Sequence, residues 1–149
     1  MVMVLKKFWQ LPPGEKVLFW EALYRLLWAR LAILIFPFRK IAPRLGEHMK
    51  ETPKEEQPQY TRTLMQIAQA LRRAGRYTPW ESACLVQSIA GKMMLKRRKI
   101  PSTLYLGVTK EKKEKKKLKA HAWLRSGNII LTGQKGVNLS AFTVVSMFG

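Results

Sequence analysis

The chain holds one cysteine, Cys84, and two histidines, His48 and His121. A free thiol has a pKa near 8.5 and is mostly protonated at neutral pH. It becomes an effective nucleophile when an imidazole takes or balances its proton, or when a helix N-terminus stabilises the thiolate. His121 lies in the alternating segment "KAHAWLRSGNIILTG", residues 119–133, beside Trp123. His48 lies next to Glu47 in a polar stretch and reads as an exposed bystander. A Cys–His pair of this kind performs acyl transfer through a covalent thioester. The competing reading is structural. Free cysteine is among the most buried residue types and often only fills space, and a half-buried strand histidine is commonly just hydrogen-bonded.

The elements that would have to bring the two together are legible. Cys84 belongs to "RYTPWESACLVQSIAGKMMLKRRKIP", residues 76–101. Thr78 suits a cap, Pro79 the first helical position, and Glu81 completes a capping box; the helix runs to about Arg98 and Pro101 stops it. A start at Thr78 buries Cys84 more than one turn inside, where the dipole has faded, whereas a start at Ser82 suits catalysis better. Both starts are open. Upstream, apolar positions Leu18, Phe19, Ala22, Leu23, Leu26, Leu27, Leu31 and Leu34 recur at three-to-four spacing and predict a helix over 15–35, opened by Pro12-Pro13 and ended by Pro37 and Pro43. A second helix spans about Arg62 to Arg73, with Gly75 as its stop. The period then changes to two. "STLYLGVTK" (102–110), "KAHAWLR" (119–125), "IILTG" (129–133) and "AFTVVSMFG" (141–149) read as strands. The run between the first two, residues 110–119, has seven lysines and two glutamates and reads as a solvated hairpin loop. Helices first, then an antiparallel β-meander, make the class α+β.

Length and composition bound the rest. With 149 residues, of which 47% are hydrophobic, the chain suits one domain with an appended segment. Residues 1–45 read as an N-terminal helical segment, 46–60 as a linker rich in Pro and Glu, and 61–149 as the main domain. A lone cysteine excludes an internal disulfide and fits a reducing cytosol. One Cys and two His argue against structural zinc, which wants four N or S ligands, and no metal or other cofactor is expected. Residues 17–38 carry Glu21, Arg25 and Arg30, too many charges for a spanning helix, and the start of the chain lacks the order of a signal peptide. The net charge is +19, and all nine acids are glutamate. Such a surface attracts nucleic acid, anionic lipid or acidic peptides. The aromatics do not interleave with the basic runs and no nucleic-acid fingerprint is present, so a basic nucleic-acid-binding protein is a minor alternative.

Three stretches together carry a family resemblance: "W-x-x-x-C-L-x-x-S-x-A" (Trp80, Cys84, Leu85, Ser88, Ala90), "R-R-x-I-P-S-x-L-Y-L-G-V" (Arg97 to Val108) and "A-H-A-W-L" (Ala120 to Leu124). Over about residues 60–135 the chain resembles the lasso peptide biosynthesis leader peptidases, small transglutaminase-like cysteine proteases of papain-like fold, in their stand-alone form. The resemblance implies Cys84 as nucleophile and His121 as general base. It implies a cytoplasmic or membrane-peripheral enzyme that cuts a lasso precursor peptide between leader and core. It further implies a separate leader-recognition-element protein and an ATP-dependent macrolactam cyclase as partners.

One departure concerns the imidazole. The family often places an aspartate about a dozen residues after the histidine, but no acid follows Glu114 here. A carboxylate orients the ring and stabilises its cation; an amide or a backbone carbonyl can orient it too. Gln134, Asn128 and Thr132 are the nearest side chains on offer, Asn138 a further one. Counting across a tight turn at 126–128 puts Gly133 opposite His121 and Thr132 opposite Ala122. The Cys84 backbone N–H is the expected oxyanion donor. Trp80, one turn earlier, is a candidate second donor or a plain core anchor, and Trp123 a candidate substrate contact. The wide apolar face around Trp20, Trp28 and Phe36 is expected to pack on the protease core, or to dock the recognition protein, the cyclase or a membrane surface. A non-catalytic assembly protein of the same fold is the main alternative.

Overall fold

Apolar residues at three-to-four spacing become helices, and proline bounds them. The computed structural model describes residues 9–76, 84–110, 118–134 and 138–149. Within them α1 spans Pro13–Ile35, α2 Phe38–Leu45, α3 Thr61–Gly75 and α4 Cys84–Arg97. Phe36, which precedes Pro37, is extended at φ −111° and ψ 145°, as the proline ring demands of its neighbour. Pro37 therefore stops α1 as expected, while Pro43 sits inside the short α2 rather than ending a helix. The expected helix starts at Thr78 or Ser82, with Trp80 and Glu81, lie outside the described residues, as does most of the lysine-rich loop.

Four antiparallel strands follow: β1 Thr103–Lys110, β2 Leu118–Ser126, β3 Ile129–Thr132 and β4 Thr143–Phe148. The first three form the expected meander. The fourth crosses back to the far side of β1, giving the order β3-β2-β1-β4, which is the Greek-key order. With helices before the sheet, the chain is an α+β protein. β1 and β2 pair in an unbroken register from Thr103↔Arg125 to Lys110↔Leu118. The β2–β3 register shifts between Leu124 and Arg125, and Thr132 lies opposite Leu124. The expected Thr132–Ala122 and Gly133–His121 alignment is thereby corrected, because the irregularity displaces the hairpin.

Helices α3 and α4 pack on the sheet, and α1 packs on α3 and α4. Leu26, Leu45, Leu64, Ile67, Leu71, Ile89, Met94, Leu95, Leu104 and Leu124 are fully buried in one core. The N-terminal helix shares that core through Phe19, Ala22, Leu26, Ala29 and Ala32, whose small alanines let α1 approach closely. Ion pairs fasten α1 from its flanks. Glu21 binds Arg98 at 2.6 Å and Arg97 at 3.0 Å, and Glu15 binds Arg73 at 3.1 Å. The Arg98 hydrogen bond holds the Glu21 carboxyl below its usual range against the opposing effect of burial.

The polar segment 46–60 runs along the sheet. Arg125, buried on β2, donates to the carbonyls of Thr52 at 2.7 Å, Pro53 at 3.1 Å and Gly127 at 2.7 Å. The Thr52 N–H donates to Thr103 Oγ1, and Gln57 Nε2 to Ser126 Oγ. The Met49 N–H donates to the Met147 carbonyl of β4. Exposed His48 rests on Phe148 with ring centroids 5.3 Å apart.

Candidate active site

Helix α4 presents Cys84, Ser88, Gly91 and Leu95 at spacings of four, three and four, so these residues share one face. Ser88 and Gly91 of that stripe meet the sheet, and Gly91 also meets α3. Ser88 Oγ hydrogen-bonds Thr132 Oγ1 of β3 at 2.7 Å, buried. A Cβ built on Gly91 would fall 2.7 Å from Leu124 Cδ2 of β2 and 3.1 Å from Leu71 Cδ1. Only hydrogen fits there at that approach, and the helix is drawn tightly onto the sheet. The same stripe, one turn before Ser88, brings Cys84 to His121, 3.3 Å apart.

His121 stands on β2 beyond the last residue that β3 covers, since the β2–β3 pairing ends at Leu124↔Thr132. There the chain leaves β3 at Gly133, with φ +84°. A Cβ at that glycine would lie 2.4 Å from the Ala122 carbonyl oxygen, so both conformation and space require glycine. The bend delivers the Gly133 carbonyl to His121 Nε2 at 2.6 Å. A carbonyl only accepts, so Nε2 carries the hydrogen, and in the neutral ring the lone pair is on Nδ1.

Aromatic rings fix the imidazole from its sides. Trp123 lies 6.1 Å from it at 24° between planes, and Phe142 lies 5.3 Å away. Behind Trp123 the stack continues through Tyr105 at 5.4 Å. Arg125 Nε donates to the Tyr105 hydroxyl at 2.9 Å. Burial raises the Tyr105 hydroxyl pKa, opposed by that hydrogen bond. Gly107, paired with His121 on β1, makes room for these rings, because a Cβ there would fall 2.8 Å from the Trp123 ring.

The pair opens onto a groove of about 810 Å³ whose lining includes Arg72, Arg76, Gln87, Ile130 and Gln134. Cys84 and His121 are both half-buried, accessible yet held. Arg72 and Arg76, one turn apart near the end of α3, are exposed, and no carboxylate lines the groove among the described residues. No group of three or more metal-ligating side chains occurs among them either.

The sequence-predicted residues therefore separate. Cys84 and His121 come together. Gln134 lines the groove, but Thr132 is engaged with Ser88 and Asn128 is exposed in the hairpin turn. The group that binds the imidazole is the Gly133 carbonyl, the backbone alternative to the side-chain candidates. Trp123 is buried in the stack and does not line the groove. Trp80 lies outside the described residues. Sequence reading missed Phe142 and Gly107. The only signal for Gly107 was its glycine among β-formers opposite the histidine.

A family model described as "Transglutaminase-like superfamily" matches residues 32–147. No curated protein and no solved structure matches the chain.

Proposed function

The chain belongs to the transglutaminase-like superfamily, and on that premise we propose that it is a cysteine peptidase that removes the leader from a lasso peptide precursor. The observation that carries the reading is the 3.3 Å approach of the only cysteine to His121 at an open groove. His121 Nδ1, bare because Nε2 donates to Gly133, takes the thiol proton. The Cys84 sulfur attacks the carbonyl at the leader–core junction, and the imidazolium returns its proton to the departing amine of the core. Water, deprotonated by the same imidazole, then cleaves the thioester and frees the leader as a carboxylate. The Gly133 carbonyl stays bonded to Nε2–H throughout and steadies the cation, in the place the missing carboxylate would occupy.

The motif pieces around Trp80, Arg97 to Val108 and His121 support the precursor as substrate. Two exposed arginines, with no carboxylate lining the groove among the described residues, suit it to a peptide bearing an acidic residue. The partners in this reading are the precursor, a separate recognition-element protein and a cyclase that consumes the freed core amine, in the cytoplasm. The test is cleavage of a lasso precursor by the purified chain together with its recognition-element protein, followed by mass spectrometry. Cys84→Ala should abolish the two fragments while circular dichroism stays unchanged. Undiminished cleavage by that variant ends the peptidase reading. A wild-type chain that neither cleaves nor reacts with iodoacetamide at Cys84 favours a non-catalytic assembly role.

A further inference from the structure

Helix α1 is apolar on both sides. Phe19, Ala22, Leu26, Ala29 and Ala32 face the core. On the opposite side, every exposed residue from Val17 to Ile35 is also apolar: Val17, Trp20, Tyr24, Leu27, Leu31, Leu34 and Ile35, each 42% to 67% exposed. The first six recur at spacings of three and four, forming a stripe of about 27 Å at 1.5 Å per residue. A helix hydrophobic all round is ordinarily buried all round, and an exposed apolar patch of this extent marks a docking surface. No described helix is long and apolar enough to cross a membrane.

Charge points to the occupant. A cleft of about 410 Å³ opens between α1 and α2, with Trp28, Leu31, Ile35 and Phe36 as its floor and Lys40 and Arg44 at its rim. Helix α2 adds Arg39 and has no acid. The two acids of α1 are both consumed, Glu15 by Arg73 and Glu21 by Arg97 and Arg98. Apolar floor, cationic rim and ring-bearing Trp20, Tyr24 and Trp28 match acyl chains beneath phosphate headgroups. A second copy would set +19 against +19, which repels.

We propose that the outward face of α1, with the α1–α2 cleft, seats the protein on an anionic phospholipid bilayer, α1 lying in the interfacial plane without crossing. The catalytic groove is built from α3, α4 and the sheet, so docking leaves it independent. The proposal does not rest on the peptidase reading.

Co-sedimentation of the full chain with vesicles of 30% phosphatidylglycerol in phosphatidylcholine, and with pure phosphatidylcholine, tests it. Binding to the anionic vesicles is expected, with a blue shift of tryptophan emission and weakening at high salt. Leu27→Glu combined with Leu31→Glu changes exposed positions only and should abolish binding with circular dichroism unchanged. Lys40→Gln with Arg44→Gln should weaken it about twenty-five-fold, since each interfacial cation contributes roughly five-fold. Absence of vesicle binding overturns the proposal. So does binding indifferent to the Leu27 and Leu31 changes, which would place it on the lysine-rich loop. A dimer in sedimentation analysis that those changes dissolve also overturns it, because a second copy would then cover the face.

Discussion

The Gly133 carbonyl accepts a 2.6 Å hydrogen bond from His121 Nε2, and this bond selects which ring nitrogen faces chemistry. The residue supplying it has φ +84°, and its Cβ position is blocked by the Ala122 carbonyl. Gly133→Ala should therefore rotate or withdraw the carbonyl and release the imidazole. Displacement of a catalytic group by about 1 Å costs on the order of 100-fold, so on the proposed peptidase reading kcat for precursor cleavage should fall by about that factor. The Cys84 alkylation rate should fall with it, while KM changes little. An unaltered kcat in a folded variant would show that the carbonyl does not orient the ring.

Much of this site could be read from residue types, and the part that could not has a physical reason. Cys84 and His121 stood out as singletons, and their carriers were visible because helix and strand periods differ. A backbone carbonyl was one of the expected orienters beside Gln134, but a carbonyl leaves no residue-type signature to say which residue supplies it. The one sequence trace was the glycine itself, and the counted register placed it opposite His121 by assuming a regular hairpin. The actual pairing shifts between Leu124 and Arg125, leaving Thr132 opposite Leu124. Phe142 was missed for another reason. It reaches His121 because the chain crosses back to pair β4 with β1, a topological choice that strand periodicity does not encode. The polar, proline-rich composition of 46–60 reads as a linker and is silent on the bonds Arg125 makes to its carbonyls.

The α4 register makes a second prediction. Gly91 lies against Leu124 and Leu71, both fully buried, so neither can move aside freely. Gly91→Val should destabilise the fold by about 1–3 kcal/mol through overpacking, more than any gain from helix propensity. Lifting α4 from β2 should also part Cys84 from His121 and lower kcat in the surviving folded fraction. Urea unfolding monitored by tryptophan fluorescence, with activity measured per folded molecule, separates the two effects. A variant as stable and active as the parent would refute the close-approach account.

The groove arginines give a third. Arg72 and Arg76 are exposed and line the same groove as Cys84, His121 and Gly133. On the proposed reading, Arg72→Glu with Arg76→Glu should raise KM for an acidic precursor several-fold, more at low salt than at high, and leave kcat within about two-fold. Equal KM values across salt concentrations would remove these residues from substrate recognition.

Lys92 provides a pH signature. It is buried on α4 and donates from Nζ to the Ser102 carbonyl at 2.5 Å. Burial, aided by nearby Lys96, lowers its pKa to about 8, against about 10.4 in an unfolded chain. Between these values the unfolded chain holds a proton that the folded chain has shed. Stability therefore rises with pH across the window, as the cost of burying the ammonium is relieved. At 1.36 kcal/mol per pKa unit the relief amounts to at most about 3 kcal/mol. Lys92→Met removes the titration. Its stability relative to the parent should be most favourable at pH 7 and decline steadily to pH 10, as read by chemical denaturation at each pH. A difference that stays flat over that range would mean that Lys92 retains its ordinary proton affinity in the fold.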